Sequence, residues 1–141
     1  MLAVKGRHDG RRIIVPIAVL AAENPSDLTY VDALALVDTG ATVSGIGPRI
    51  VSELGLESHQ KRRLVSATEI RMVDYFLFRL GLFTGTFGEI PTNPTLPYIF
   101  NDIDGFSWDQ AGDFDVILGM DVLRKCDFAI DRAGNWSLAF G

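Results

Sequence analysis

Leu36-Val37-Asp38-Thr39-Gly40-Ala41-Thr42 puts one carboxylate at the end of an apolar run, followed at once by a hydroxyl and a glycine. A strand that ends in a tight turn delivers such an aspartate to a concave site, where a carboxylate can act as a general base. The chain has only one aspartate turn of this kind. Chemistry that needs two carboxylates must therefore draw the second from another copy of the chain.

The elements that must position Asp38 fit within the size of one domain, 1–141, and a hydrophobic content of 48% allows a real core. A net charge of −5 argues against a phosphate backbone as partner, since that would need a basic face. Nucleic acid is excluded on this ground. The clusters Arg11-Arg12 and Lys61-Arg62-Arg63 are short and separated and read as solvated faces. Cys126 is the sole cysteine, so an internal disulfide is excluded and a reducing, cytoplasmic setting is expected. The run from Ile13 to Ala22 follows several basic residues and imitates a signal peptide. Pro16 interrupts it, and it falls short of the roughly 20 apolar residues that span a bilayer. It reads as a buried strand, with no membrane partner.

Runs of β type punctuated by turn residues dominate the chain. Arg12 to Leu20 and Tyr30 to Val37 read as strands on either side of an Asn24-Pro25-Ser26-Asp27 turn. Pro48 to Leu56 reads as a short helix, with Pro at its first position and Gly55 at its C-terminal cap. Leu64 to Ala67 and Ile70 to Phe83 read as a hairpin. The three prolines between Gly85 and Pro97 restrict that stretch to loop or edge strand. Phe114 to Leu118 is an apolar run closed by Gly119, Asp121 to Cys126 allows one or two helical turns, and residues 131–135 connect a closing hairpin. The expected fold is a single, mainly β domain with one or two short helices.

Ala35 to Ile46, containing Asp38-Thr39-Gly40-Ala41, resembles the active-site loop of retropepsin-like aspartic proteases. Asp115-Val116-Ile117-Leu118-Gly119-Met120-Asp121-Val122-Leu123 resembles their second signature, in the form seen in retrotransposon and DNA-damage-inducible retropepsins. The likeness runs from about Ile13 to Phe140. It implies a closed β barrel of the acid protease fold and a homodimer in which two Asp38 side chains meet across a two-fold axis. Two carboxylates about 3 Å apart share one proton, so the pair holds a base and an acid together. The activity implied is hydrolysis of peptide or unfolded-protein substrates with no cofactor and no metal. The alternative is a catalytically silent module of the same fold that binds peptides or assembles a complex. A third matching pattern, Asp38-Thr39-Gly40 with Ser44 as a nucleotide phosphate loop, belongs to two-domain folds far longer than 141 residues.

The resemblance also assigns supporting roles. Thr39 would join the hydrogen-bond network between the two loops, and Gly40 would let its amide face the carboxylate. Ala41 stands where pepsin-like enzymes carry Ser; without that donor, the pair should work at mildly acidic pH. Ile117, Leu118 and Gly119 would pack under the catalytic loop, with Asp121 capping the short helix. Met120 replaces the Arg of retroviral enzymes, so the dimer contact should come from the terminal strands instead. The hairpin from Leu64 to Leu80 holds the position of the substrate-covering flap, with its tip at Ser66-Ala67-Thr68-Glu69. That tip lacks the glycine usual in family flaps, which should limit positive φ there.

Other reactive side chains receive plain readings. Asn101 to Asp109 has alternating carboxylates and a Gly, yet lacks the closing Glu of a calcium loop and reads as a solvated insertion loop. His8 and His59 lack ligand-spaced partners and read as surface residues. Cys126 reads as a buried small hydrophobe. Phe76, Phe78, Trp108, Phe114 and Trp136 read as core or interface.

Overall fold

A computed structural model describes residues 2–86 and 97–141. In chain order, β1 (Leu2–Arg7), β2 (Ile14–Ala21), β3 (Val31–Val37) and β4 (Gly45–Ile46) precede helix α1 (Pro48–Leu54). Next come β5 (Gln60–Val65), β6 (Ile70–Leu82), β7 (Gly85–Thr86), β8 (Tyr98–Ser107) and β9 (Val116–Leu118). Helix α2 (Met120–Leu123), β10 (Asp127–Ile130) and β11 (Asn135–Phe140) complete the order. Most of the stretch expected as loop or edge strand before Pro97 lies outside the described residues; β7 is its one described strand.

Six strands close a barrel in the order β2-β3-β9-β4-β8-β6, with β6 returning to β2 and β5 hanging on the outer side of β6. Within this closure β2 is paired on both edges, by β3 and by β6, and its apolar run is buried on both faces at Val15 and from Ile17 to Leu20. Pro16 is tolerated because the β6 pairing begins only at Ile17, so the missing N–H falls where β2 has a single neighbour. Val15, Ile17, Val19, Phe78, Leu80 and Leu118 are wholly buried at the centre. Phe76 and Trp136 join this core, while Trp108 and Phe114 pack edge to face near the surface, ring centroids 6.0 Å apart.

The expected insertion loop at Asn101 to Asp109 is corrected: residues 101–107 belong to β8, antiparallel to β6 and parallel to β4. The polar residues mislead because they fall at an irregularity. Asp102 adopts a positive φ of 59° close to a register shift in the β6–β8 pairing. Gly105 is required by close approach, since a Cβ there would lie 2.7 Å from the Phe78 ring and 2.9 Å from the Ser44 carbonyl. His59 is exposed as expected, and its Nε2 lies 2.7 Å from Asp104 Oδ1, while Asp104 Oδ2 accepts from Arg62 at 2.8 Å. Arg62 also lies 4.9 Å from the centre of the Tyr75 ring.

A second sheet runs β10-β11-β1-β7. Its strand β1 carries no clear signal in the sequence. It pairs antiparallel with β11 over its whole length, Leu2 opposite Phe140 and Arg7 opposite Asn135. The Trp136 ring lies over Gly6, where a Cβ would approach it to 2.5 Å. Helix α1 follows expectation, with Pro at its start and Gly55 in the left-handed region at φ 62°. The buried Arg79 on β6 donates to the carbonyls of Ala21, Asn24, Pro25 and Asp27, so one guanidinium holds the whole 24–27 turn. Among the described residues, no helix is long and apolar enough to cross a membrane.

Candidate active site

Asp38 is placed by a parallel pairing of strands far apart in sequence. β3 and β9 align Leu36 with Ile117 and Val37 with Leu118, and the Asp38 amide adds a bond to the Leu118 carbonyl at 3.0 Å. The turn then closes on the carboxylate: the Gly40 amide donates to Asp38 Oδ1 at 2.9 Å and the Ala41 amide to the Asp38 carbonyl at 3.2 Å. A Cβ at Gly40 would stand 3.2 Å from that same carboxylate oxygen. The aspartate is half-buried and Thr39 beside it is exposed.

Residues 41–44 loop over the junction of β9 and α2. Gly119 is indispensable here, because a Cβ would come within 2.6 Å of the Val43 backbone and 2.9 Å of the Ala41 carbonyl. The Met120 amide donates to that Ala41 carbonyl at 2.8 Å. Buried Ser44 completes the clasp: its hydroxyl accepts from the Gly119 amide at 3.0 Å and donates to Asp121 Oδ1 at 2.7 Å. Asp121 Oδ2 takes the Ser44 amide at 3.0 Å. The expected helix-capping role of Asp121 is thereby corrected. Gly119 holds the N-cap position, and Asp121, in the first turn, spends its carboxylate mainly on Ser44. Leu118 and Gly119 are buried under the loop, while Ile117 is half-buried opposite Leu36 and Gly45.

A second fixture, at the start of β9, has no signature in the linear sequence. Arg49 on α1 donates to both oxygens of Asp115, at 3.0 and 2.8 Å, and to the Asp32 carbonyl at 2.9 Å. Asp115 also receives the Leu34 amide, while its backbone carbonyl accepts from Gly47. The guanidinium holds the Asp115 carboxyl below its ordinary range against the opposing effect of burial. Asp115 thus ties α1, β3 and β9 together at the end opposite Asp38.

The β5–β6 hairpin pairs Val65 with Ile70 and exposes Ser66 to Glu69 at its tip. No residue of the tip has positive φ. Ser66 makes that possible, because its hydroxyl accepts the amides of Thr68 and Glu69 and its own amide reaches the Glu69 carbonyl at 2.9 Å. Alternation along β6 carries the inward face of Phe76 and Phe78 outward to Met72 and Ile70. Beyond the barrel those two side chains, with Val65, are exposed. Cys126 is partly buried, and burial with the neighbouring Asp127 charge pushes its thiol up to about 11.

Among solved structures, this chain is similar to a retropepsin-like aspartic protease from Rickettsia conorii. The TM-score is 0.61, with 98% of this chain and 90% of that one covered at 16% identity. The fold is retropepsin-like. No protein-family model matches the sequence, and no curated protein matches it.

Proposed function

We propose that the chain is one half of an aspartic endopeptidase, which hydrolyses peptide bonds of peptides or unfolded proteins with a water held between the Asp38 carboxylates of two subunits. The observation that supports this reading is Asp38 itself, half-buried at the end of β3 in a retropepsin-like fold, with the Gly40 amide fixing one of its oxygens. In a homodimer the ionised carboxylate takes a proton from water as the water oxygen attacks the peptide carbonyl. The protonated partner donates to the carbonyl oxygen, giving a tetrahedral intermediate. Transfer of a proton to the amide nitrogen then lets the carbon–nitrogen bond break.

Thr39, exposed at the loop, would bond across the subunit interface, and the 66–69 tip with Val65, Ile70 and Met72 would cover the substrate. Ala41 offers no hydroxyl to the carboxylates, which favours a mildly acidic optimum. The lone, partly buried cysteine suits a cytoplasmic setting. The test is cleavage of an unfolded protein by wild type and Asp38→Asn, with a statine-type transition-state mimic as inhibitor. Cleavage surviving in the variant would remove the mechanism, and binding without cleavage would make the chain a peptide-binding module.

A further inference from the structure

Strand β6 outruns one of its neighbours. Its pairing with β8 ends at Tyr75 opposite Phe106, while β5 follows it on the other side up to the turn, so residues 70–74 have a strand along one edge only among the described residues. The bond from the Ser66 amide to the Glu69 carbonyl sets the phase of the β5–β6 ladder. Counting in twos from Glu69, Arg71 and Val73 turn their backbone groups to β5, whereas Met72 and Asp74 turn theirs to the open edge. The Asp74 carbonyl agrees, accepting the Ser107 hydroxyl at 2.9 Å on that side. The N–H and C=O of Met72 are left without a strand partner among the described residues, an edge of the kind that accepts an added strand. Two cavities of about 200 and 330 Å³ adjoin this edge, and Arg71, Trp108 and Asp109 line both. The half-buried Trp108 ring is held by Phe106 and Phe114, their centroids 6.2 and 6.0 Å away. The cations of the lining already face acids, Lys61 at 4.0 Å from Asp74 and Arg71 at 3.7 Å from Glu69. Asp109 is exposed and makes no ion pair among the described residues.

We infer that the open β6 edge at 70–74 takes an extended stretch of polypeptide carrying an Arg or Lys side chain, its backbone pairing with Met72 and its cation set against Asp109 and Trp108. This surface goes beyond hydrolysis at Asp38 and holds equally for a chain that cleaves and for one that only binds. Main-chain bonds give affinity for an extended sequence of any composition, and the pocket beside the strand selects among them. A free carboxylate next to an indole ring suits a guanidinium or ammonium, which the carboxylate pairs and the ring attracts. An acidic side chain would meet Asp109 with like charge and leave that carboxylate unpaired.

Fluorescence anisotropy tests this with short, labelled, Thr- and Val-rich peptides that differ only in a central Arg or Glu. Asp38→Asn serves as the host, so that the peptide stays whole. It should bind the Arg peptide about 10-fold more tightly than the Glu peptide, and adding Asp109→Arg should reverse that order. Met72→Pro removes the open N–H and leaves the β5 ladder its bonds; it should bind about 5-fold or more weakly than Met72→Ala, which loses the side chain and keeps the amide. If Met72→Pro unfolds the hairpin, hydrogen exchange decides instead: saturating Arg peptide should slow exchange of the Met72 amide. Wild type blocked with a statine-type mimic should still bind the Arg peptide. Equal affinity for the two peptides, an order that Asp109→Arg does not change, a Met72→Pro variant that binds as Met72→Ala does, a Met72 amide that the peptide does not slow, or loss of binding to the blocked wild type would overturn the inference. Binding that meets these expectations in a chain that cleaves nothing would leave the edge standing and remove the protease reading. Cleavage without such binding would do the reverse.

Discussion

Ser44→Ala tests whether the Asp38 loop is held by the clasp described above. The hydroxyl is fully buried and makes two bonds, one from the Gly119 amide and one to the Asp121 carboxylate. Removing it leaves a buried backbone donor without a partner, a loss of about 1 to 2 kcal/mol. It also removes a charge-assisted bond from Asp121, worth about 1.5 to 3 kcal/mol where well formed. Asp121 keeps the Ser44 and Val122 amides, which places the second contribution near its lower limit. The expected destabilisation is therefore about 2 to 4 kcal/mol, read as a shift of the urea midpoint with an unchanged slope. Thr42→Ala, at an exposed position of the same loop, should stay within about 0.5 kcal/mol. A Ser44→Ala loss under about 0.5 kcal/mol would show that the clasp holds nothing, and the account of how Asp38 is positioned would fail with it.

Gly119→Ala should cost about 3 kcal/mol or more, because its new methyl meets the Val43 backbone, which cannot yield as a flexible side chain would; a thermal melt matching wild type refutes this. Asp38→Asn should lower cleavage about a hundredfold or more while leaving stability within about 0.5 kcal/mol, measured by peptide cleavage and denaturation in parallel. Arg79→Met should cost about 3 kcal/mol or more and free the 24–27 turn to proteolysis, since it removes the guanidinium bonds to four carbonyls, of which that of Asn24 keeps the Asp27 amide. Asp115 sits below its ordinary value of 3.8 when folded, so its contribution to stability is whole at neutral pH and is lost as the pH falls through that depressed value. Asp115→Asn should accordingly trail wild type at neutral pH, and the gap should close in acid; a gap independent of pH contradicts the ion-pair account.

Local chemistry made several elements legible from sequence alone. Pro48 and Gly55 bracket α1, the 131–135 turn joins β10 to β11, and the Asp38 and Gly119 turns stand at paired strand ends because each carries its own backbone signal. What could not be read depends on distant partners. β1 has two cations in six residues and becomes a strand only because β11, more than a hundred residues later, lies beside it. The acidic stretch in β8 reads as loop until β6 and β4 are placed on either side and Arg62 and His59 occupy Asp104. Asp121 carries the pattern of a helix cap, and only the spatial return of Ser44 diverts it. The buried Arg79 and the bidentate Arg49 look like ordinary surface cations in a linear reading.

The parallel seam between β3 and β9 has a consequence for the order of assembly. A ribosome making this polypeptide extrudes Asp38 first, and its neighbouring strand about eighty positions downstream must still be synthesised before the turn has anything to lean on. Until then the acid is an ordinary solvated group on a loose chain. Under the proposed reading, peptide cleavage would wait until β9 had been synthesised and paired with β3.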